Sequence, residues 1–282
     1  MVDRTLSTYC IIGDPIDHSL SPALHNASFK TLNLKCTYIA FRVAKGDLSS
    51  AICSLRSVNI SGFNVTIPHK VEILKYVDVK DNTAESASAV NTVKNENGKL
   101  IAYNTDIKGF ITPLRNRNIK FDGMTILLLG AGGAARAIVT ALAEEKGISK
   151  IYIFSRNQVK MKELVIIANQ KGLQCVTIEQ NEIPNFSISS NLIINATPIG
   201  MAGEASPLSY KYIPKASIVY DIIYNPINTG LILSAKRANA EIVYGYEMLL
   251  EQAAESFKIW TGVRPSITPM KKVLFGGFGE PA

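Results

Sequence analysis

The sequence contains few of the residues that build metal sites and disulfide frameworks. Only four cysteines and three histidines occur among its 282 residues. The cysteines lie far apart, form no C-x-x-C pair and have no set of histidines at metal-ligand spacing beside them, and their positions are Cys10, Cys36, Cys53 and Cys175. We therefore expect neither a metal site nor a disulfide scaffold, and we expect the four thiols to be reduced residues of the core.

Long hydrophobic runs are also lacking. The most apolar window, MTILLLGAGGAARAIVTALA, is interrupted by glycines and carries Arg136, which argues against a membrane span. The first residues, MVDRTLSTYCIIGD, include charged and polar residues and no long apolar region, which argues against a signal peptide. These features predict a cytoplasmic protein without a membrane partner.

Blocks of like charge are missing as well. The formal net charge is +7, but Lys and Arg are spread along the whole chain without a basic block or an interleaved aromatic cluster. We therefore expect no nucleic-acid partner, and small anionic ligands account for the charge equally well. A composition of 47% hydrophobic and 19% charged residues is typical of a globular protein, and the length suits one large or two ordinary domains.

Strand-like and helix-like segments alternate almost throughout the chain. Strands are predicted at TYCIIGD, CTYIAFRV and GFNVTI, and helices at SPALHNASFKTLN and DLSSAICSLRSV between them. This βαβαβ order predicts a parallel sheet. Asn97-Gly98 then predicts a tight hairpin turn, because both central residues of that turn need positive φ. A connecting helix at IKGFITPLRNR follows, so we place a domain boundary near residue 107.

A second alternation opens with a glycine-rich turn between a strand and a helix. The strand TILLL is followed by GAGGAA, residues 130–135, and by a helical pattern that we expect to end at Gly147. This is the G-x-G-x-x-G/A fingerprint of Rossmann-type dinucleotide-binding domains in its required context. Its glycines allow a sharp turn and a close approach of backbone to pyrophosphate at a helix N-terminus. The alternative is a purely structural strand-to-helix turn.

The end of the next strand indicates which dinucleotide binds. The strand KIYIF runs into Ser155-Arg156-Asn157, with Lys160 one turn later and no acidic residue nearby. An acid at this position accepts from the ribose hydroxyl of NAD, whereas an arginine accommodates the extra phosphate of NADP. The pattern favours NADP, and the alternative is that Arg156 is a solvated loop residue.

The stretch FNVTIPHK raises the question of what Lys70 does. The alternation of Phe63, Val65 and Ile67 predicts a half-buried strand, which Pro68 ends because it has no N–H to donate. Lys70 then follows at the carboxyl edge of the sheet, where α/β proteins bind ligands. An isolated lysine after a strand is usually a surface residue.

Eight motifs together resemble the shikimate dehydrogenase family in order and spacing, over nearly the whole chain. They are SLSP, NVTIPHK, AVNT, NTD, GAGGAAR, NATPIGM, DIIYNP and the late EQA. Two departures occur: the Ile-Gly usual before AVNT is Ala87-Ser88, which can alter the entry to the hairpin, and the common Asn-Arg-Thr phosphate loop is Ser155-Arg156-Asn157, which keeps the arginine.

The resemblance implies an activity and a set of site residues. The family reduces the ring ketone of 3-dehydroshikimate reversibly with NADPH, in the biosynthesis of chorismate and aromatic amino acids. Lys70 and Asp106 would be catalytic, as a proton-transfer group and its partner. The substrate-binding residues implied are Ser19, Ser21, Asn64, Thr66, Lys70, Asn91, Asp106, Tyr224 and Gln252. The cofactor-binding residues implied are Gly130, Ala131, Gly132, Gly133, Ala134, Ser155, Arg156, Asn157, Lys160, Thr197, Ile222 and Gly245.

The same resemblance implies a two-domain α/β organisation. Residues 1–107 would form a substrate-binding domain with a mostly parallel sheet, and residues 108–244 a Rossmann-type NADP-binding domain. Residues 245–282 would return to the first domain as helices, because Gln252 is needed beside Lys70. The active site would then lie in the cleft between the domains. Monomer and homodimer both remain open.

Several interpretations stay open at this stage. Ser21, which precedes Pro22, suits a helix N-cap as well as a substrate contact. His18, His25 and His69 are candidates for proton transfer, but with Lys70 present we interpret them as packing or loop residues. The alternative functions are a quinate/shikimate dehydrogenase that prefers NAD, which Arg156 and the two serines oppose, and a non-catalytic nucleotide-binding regulator, which retention of Lys70 and Asp106 opposes.

Overall fold

A computed structural model describes residues 6–203 and 205–278 of the chain. The first five residues, on which part of the signal-peptide expectation rests, lie outside the described residues. The described residues divide into two compact units. Unit 1 comprises residues up to Gly109 together with those from Leu250 onward, and unit 2 comprises Phe110–Leu249. None of the helices in these described ranges is long and apolar enough to cross a membrane.

Unit 1 is built on a six-stranded sheet. Its strands are β1 (Ser7–Gly13), β2 (Cys36–Arg42), β3 (Gly62–Val65), β4 (Val79–Lys80), β5 (Thr92–Glu96) and β6 (Lys99–Tyr103), in the order β2-β1-β3-β5-β6-β4. Its first helices are α1 (Ser21–Thr31), α2 (Leu48–Ser57) and α3 (Asn82–Ala87), and a 3₁₀ turn spans Glu72–Lys75. The predicted βαβαβ order is confirmed, because β2, β1 and β3 are mutually parallel.

Both faces of this sheet are covered, and β1 shows why. Tyr9 and Ile11 pack in one cluster with Phe29 of α1, while Cys10 and Ile12 pack in another with residues of α2, since successive side chains point to opposite faces. The prediction of a half-buried strand at GFNVTI was therefore wrong. All four residues of β3 are buried, the strand ends at Val65 before Pro68 is reached, and Ile67 is 59% exposed.

The predicted hairpin is present between β5 and β6. The two strands are antiparallel, with Glu96 opposite Lys99. Asn97 has φ of 55° and Gly98 has φ of 88°, the left-handed conformations that a two-residue turn of this type requires. The hairpin reverses the chain, so that β5 runs antiparallel to β3 and β6 returns in the direction of β3.

Unit 2 contains a six-stranded, wholly parallel sheet. Its strands are β7 (Thr125–Leu129), β8 (Lys150–Phe154), β9 (Cys175–Thr177), β10 (Leu192–Asn195), β11 (Ile218–Asp221) and β12 (Glu241–Tyr244), in the order β12-β11-β10-β7-β8-β9. Its helices are α5 (Gly133–Ala143), α6 (Gln158–Gln170), α7 (Ile183–Ile188) and α8 (Gly230–Ala238), with 3₁₀ turns at Gln180–Glu182 and Tyr210–Tyr212. Helices α4 (Asp106–Asn116) and α9 (Gly245–Thr261) contain the unit boundaries, and α10 (Ile267–Phe278) follows in unit 1.

Two further expectations need correction. Helix α5 ends at Ala143, not at Gly147, which has φ of 82° in the turn beyond it and lies so close to Asp122 that a Cβ would stand 2.1 Å from its Oδ1. The four cysteines are free, but only Cys10 is buried and Cys53 is exposed, so they are not all core thiols. Within the described residues, no group of three or more His, Cys, Asp or Glu side chains is arranged to hold a metal ion.

Candidate active site

Four segments of unit 1 meet at one edge of its sheet. Strands β1 and β3 are parallel, so the segments that follow Gly13 and Val65 leave the sheet at the same edge. Strand β5 is antiparallel to β3 and begins at that edge, and β6 ends there, because Thr92 lies opposite both Asn64 and Tyr103. The sheet topology therefore gathers residues that are far apart in the sequence.

Lys70 and Asp106 form an ion pair at this edge. Lys70 Nζ lies 2.5 Å from Asp106 Oδ2, and the two side chains are 17% and 5% exposed. Asp106 is the first residue of α4, and its backbone N–H donates to Asn104 Oδ1 at 3.1 Å. An ammonium group held by a carboxylate in a mostly buried position is a suitable donor for a proton to a substrate oxygen.

Asn91 joins this pair to Gln252. The Thr105 backbone N–H donates to Asn91 Oδ1 at 2.7 Å, which fixes the orientation of the amide because that N–H can only donate. Asn91 Nδ2 then faces Asp106 Oδ1 at 2.9 Å and Gln252 Oε1 at 3.3 Å. The structure thus brings together Lys70, Asp106, Asn91 and Gln252, which the sequence proposed as one site.

Helix α9 carries Gln252 and is held against the sheet by Trp260, the one tryptophan of the chain. The Trp260 indole N–H donates to the Val93 carbonyl at 3.0 Å. Gly62 leaves room for this ring, since a Cβ there would lie 2.5 Å from Trp260 Nε1. The contact between Trp260 and Val93, with the space left by Gly62, packs the part of α9 from Leu250 onward against the sheet of unit 1.

The predicted hydroxyl ligands lie after β1 and β3. Ser21 is the first residue of α1, and the N-cap is Leu20, so the alternative interpretation of Ser21 as the N-cap was wrong. Its backbone N–H approaches Ser19 Oγ at 3.4 Å. Within the described part of the chain the hydroxyls of Ser21 and Thr66 have no hydrogen-bond partner, which leaves both available to a ligand.

Asn64 has a different environment from these hydroxyls. It is 5% exposed, its Oδ1 accepts from the Tyr38 hydroxyl at 2.6 Å, and its Nδ2 donates to the Asn91 carbonyl at 2.9 Å. Both polar atoms of Asn64 are thus engaged by the protein itself. Asn64 supports the backbone of Asn91 through this hydrogen bond to its carbonyl.

Within the described residues, none of the three histidines forms a hydrogen bond with Lys70 or Asp106. His18 is in an exposed turn, while His25 and His69 are fully buried. His69 Nε2 lies 2.7 Å from the Val43 carbonyl, and the His25 ring stacks on Tyr38 at a centroid distance of 4.5 Å. Their interpretation as packing or loop residues agrees with these positions.

The glycine-rich turn of unit 2 joins β7 to α5. Gly130 has φ of 114°, and a Cβ there would lie 2.6 Å from the Ala196 carbonyl oxygen, so only glycine fits. Gly132 is exposed, is the N-cap of α5, has nothing within 4 Å of a Cβ position and provides no side-chain cap. The first N–H groups of α5 therefore have no side-chain cap, and Ala135 is buried.

The segment after β8 is exposed and carries cations. Asn157 caps α6, because its Oδ1 accepts from the Lys160 backbone N–H at 3.0 Å, and Ser155 Oγ lies 3.3 Å from the Asn157 nitrogen. Arg156 and the Lys160 side chain are exposed, and neither forms an ion pair within the described residues. Two cations without an ion pair beside a helix N-terminus fit a phosphate group, and Glu163 of the same helix is paired with Arg136.

Two further predicted cofactor residues, Thr197 and Ile222, lie on loops that Asn195 and Asp221 connect. Asn195 Oδ1 accepts from the Thr197 hydroxyl at 2.6 Å, and its Nδ2 donates to Asp221 Oδ1 at 3.0 Å. Burial raises the pKa of Asp221 to about 6, although hydrogen bonds from Thr229, the Ile223 backbone and Asn195 oppose that rise. These contacts hold the loop that begins at Asn195 to the one that follows β11.

Gly245 and Tyr224 complete the set in unit 2. A Cβ on Gly245 would lie 2.3 Å from the Ile223 carbonyl oxygen and 2.5 Å from the Ile222 carbonyl carbon, so glycine allows these two backbones to meet. Tyr224 is half-buried, and burial raises the pKa of its hydroxyl.

Sequence reasoning missed the buried residues that support the site. Thr92 and Thr105 stand next to Asn91 and Asp106 in quoted motifs, and Ser256 lies one helical turn after Gln252, so neighbourhood and helical spacing were signals for them. Asn195 and Asp221 also lay in quoted motifs without an assigned role. Nothing in the local sequence marks Tyr38.

Comparisons with known proteins agree with this geometry. A family model described as the shikimate dehydrogenase substrate binding domain matches residues 11–93, and one described as the shikimate 5'-dehydrogenase C-terminal domain matches residues 245–275. The NADP(+) shikimate dehydrogenase of Nitrosopumilus maritimus is 48% identical over 271 residues, which are 96% of this chain and 99% of that protein.

Solved structures show the same likeness. A shikimate dehydrogenase crystallised with NADP+ has a TM-score of 0.89 and 37% identity, and the match covers 99% of this chain and 98% of that one. The enzyme of Thermus thermophilus in complex with NADP(H) and shikimate has a TM-score of 0.84 and 30% identity, over 96% of this chain and 100% of that one.

Proposed function

The chain belongs to the shikimate dehydrogenase family, and we propose that it catalyses the reversible NADPH-linked reduction of 3-dehydroshikimate to shikimate, a step of chorismate and aromatic amino-acid biosynthesis. The observation that carries the proposal is the Lys70–Asp106 ion pair, with Asn91 and Gln252 joined to the same carboxylate. These are the groups that a small polyhydroxylated carboxylate with a ketone requires.

The proton transfer of the reaction is carried out by residues of unit 1. Bound NADPH supplies the hydride. Lys70 donates a proton to the oxygen that forms on the former ketone, and in the reverse direction its amine takes the proton back. Asp106 holds the ammonium in place through the 2.5 Å contact. Since Asp106 Oδ1 is engaged by Asn91, the carboxylate presents Oδ2 to Lys70.

Every proposed substrate-binding residue except Tyr224 belongs to unit 1, and the proposed cofactor-binding residues belong to unit 2. The Ser19 and Ser21 hydroxyls bind the substrate carboxylate. Its ring hydroxyls are bound by Thr66, Asn91, Asp106 and Gln252. Asn64 supports the backbone of Asn91, and Tyr224 is the remaining substrate-binding residue. The NADP-binding groups are the Gly130–Ala134 turn, the Ser155–Asn157 segment with Lys160, and Thr197, Ile222 and Gly245. Unit 1 is thus the substrate-binding domain and unit 2 the NADP-binding domain. All these residues lie on one chain, so the proposal holds for a monomer and for a homodimer in the cytoplasm.

One assay tests the proposal against both alternatives. The purified chain is mixed with shikimate or quinate and with NADP or NAD, and the absorbance of the reduced cofactor is followed. We expect turnover with shikimate and NADP, and much slower turnover in the other three combinations. Preferred use of quinate with NAD would favour the quinate/shikimate alternative. Nucleotide binding without turnover of either substrate would favour the regulator.

A further inference from the structure

A cluster of buried polar side chains lies beneath Asn91, and Ser256 of α9 is at its centre. Ser256 is fully buried, and its hydroxyl oxygen lies 2.8 Å from Thr92 Oγ1, 3.0 Å from Thr105 Oγ1 and 3.2 Å from Asn64 Nδ2. On the basis of the proposed function, we propose that Ser256 is a positioning residue for substrate binding. Its role is to hold the Asn91 amide against Gln252 and Asp106.

The Ser256 hydroxyl has one proton to donate. That proton is directed at the Gln252 carbonyl oxygen, 3.0 Å away. The Ser256 oxygen then accepts, and two of its neighbours, Thr92 and Thr105, are hydroxyls that can donate to it. Ser256 therefore connects the backbone of Gln252, a proposed substrate-binding residue, to Thr92 of β5 and to Thr105, which lies between β6 and α4.

The same two threonines also reach Asn91. Thr92 Oγ1 lies 3.0 Å and Thr105 Oγ1 lies 3.2 Å from Asn91 Oδ1. Each threonine has one proton and three possible acceptors, which are Ser256 Oγ, Asn91 Oδ1 and, at 3.3 Å, the oxygen of the other threonine. Without the Ser256 oxygen, each threonine proton is left with Asn91 Oδ1, to which the Thr105 backbone N–H already donates, and with the other threonine. The hydrogen bonds around the Asn91 amide must then rearrange.

Displacement of the Asn91 amide would directly affect two proposed substrate-binding residues, Asp106 and Gln252. Asn91 Nδ2 donates to Asp106 Oδ1 and Gln252 Oε1, so a tilt of the amide changes the positions that both present to a substrate hydroxyl. Gln252 is affected a second time, since its carbonyl loses the Ser256 hydroxyl. Lys70 is bound by the other oxygen of Asp106 and is affected less.

A buried serine on another helix provides the matched control. Ser28 of α1 is 1% exposed, belongs to unit 1 and donates to the Leu24 carbonyl one turn earlier, as Ser256 does to Gln252. No other side-chain hydrogen bond of Ser28 is found within the described residues. Ser28→Ala therefore removes the same helical contact without touching Asn91.

The experiment compares Ser256→Ala with Ser28→Ala and wild type in the shikimate and NADP assay. For Ser256→Ala we expect the KM for shikimate to rise about three- to ten-fold, which is the size of one net hydrogen bond, with kcat within about two-fold and the KM for NADP unchanged. Ser28→Ala should keep wild-type constants. A lowered melting temperature with an unchanged KM for shikimate would make Ser256 merely structural and overturn the inference.

A double-mutant cycle tests the connection itself. Thr105→Val removes the hydroxyl at nearly constant volume, and in the Ser256→Ala background it should raise the KM for shikimate by less than it does alone. Independent effects would overturn the inference. If Ser256→Ala does not fold, Thr92→Val and Thr105→Val, which leave α9 intact, must each raise the KM, and normal values in both would overturn it. Absence of turnover in the wild type would instead contradict the proposed function and, with it, this inference.

Discussion

Lys70 Nζ and Asp106 Oδ2 lie 2.5 Å apart although 36 residues separate them in the sequence. Lys70 is in the loop after β3, and Asp106 is the first residue of α4, which follows β6. The hairpin between β5 and β6 returns the chain to the edge it left, so the pair exists because of the strand order. Lys70 is therefore a mostly buried partner of a carboxylate, and not a solvated surface residue.

Replacement of Lys70 by methionine tests its role in proton transfer. Lys70→Met keeps most of the stem and removes the amine, so we expect kcat to fall by about 100- to 10,000-fold, while the dissociation constants for shikimate and NADP, measured by titration, change much less. Lys75→Met, an exposed lysine five residues later, is the control and should keep wild-type kcat. Normal kcat with weakened shikimate binding would instead make Lys70 a binding residue.

Replacement of Asp106 tests whether the pair acts as a unit. Asp106→Asn should lower kcat as well, because the ammonium loses the carboxylate that holds it. The double variant with Lys70→Met should lose less than the product of the two single losses. Multiplicative losses would mean that the two residues act independently.

Replacement of Arg156 tests the choice of cofactor. As a charge-assisted contact to the extra phosphate, Arg156 should contribute about 1.5 to 3 kcal/mol, so Arg156→Ala should weaken NADP at least about ten-fold and leave NAD binding nearly unchanged. Arg237→Ala removes the same charge elsewhere in unit 2, where Arg237 stacks on Tyr210 at 3.6 Å, and should affect neither cofactor. Equal losses for both cofactors in Arg156→Ala would exclude the phosphate contact.

Buried Asp221 should make unit 2 sensitive to pH. Burial raises the pKa of Asp221 from 3.8 to about 6, so as pH rises the unfolded chain releases this proton first. The contribution of Asp221 to stability therefore falls between about pH 4 and pH 6, and two pKa units correspond to about 3 kcal/mol. Asp221→Asn should remove this dependence. We expect the variant to gain stability relative to wild type from pH 4 to pH 7 in urea unfolding, and a constant difference would contradict the prediction.

Buried His25 should produce the opposite dependence in unit 1. Burial lowers the pKa of His25 from 6.5 to about 3, so the unfolded chain takes up the proton first as pH falls. His25 therefore costs the folded state about 2 kcal/mol at pH 5 relative to neutral pH. His25→Phe keeps a ring against Tyr38 and should lose less stability than wild type on going from pH 7 to pH 5. His18→Asn, in an exposed turn, should follow the wild type, and identical acid sensitivity in all three proteins would refute the prediction.

Local patterns in the sequence were enough for the elements that depend on local geometry. Asn97-Gly98 specified its turn because few residue pairs adopt two positive φ angles, and Gly130, which also has a positive φ, specified the strand-to-helix turn in the same way. The eight motifs, taken in order, indicated the family and with it the fold. The end and the burial of β3 were not predicted correctly: the strand ends before Ile67, and all of its residues are buried. Alternation of apolar residues does not reveal whether one face of a sheet or both are covered.

Tertiary structure alone decided how the side chains of the site are supported. The Asn91 amide is oriented by the Thr105 backbone, Ser256 comes from a helix near the end of the chain, and Tyr38 reaches Asn64 from the edge strand β2. Whether buried groups form hydrogen bonds depends on differences in distance of about a few tenths of an ångström and on which donors remain unused. Residue types and spacing determine which groups are available, but only the packed sheet and α9 bring them within reach of one another.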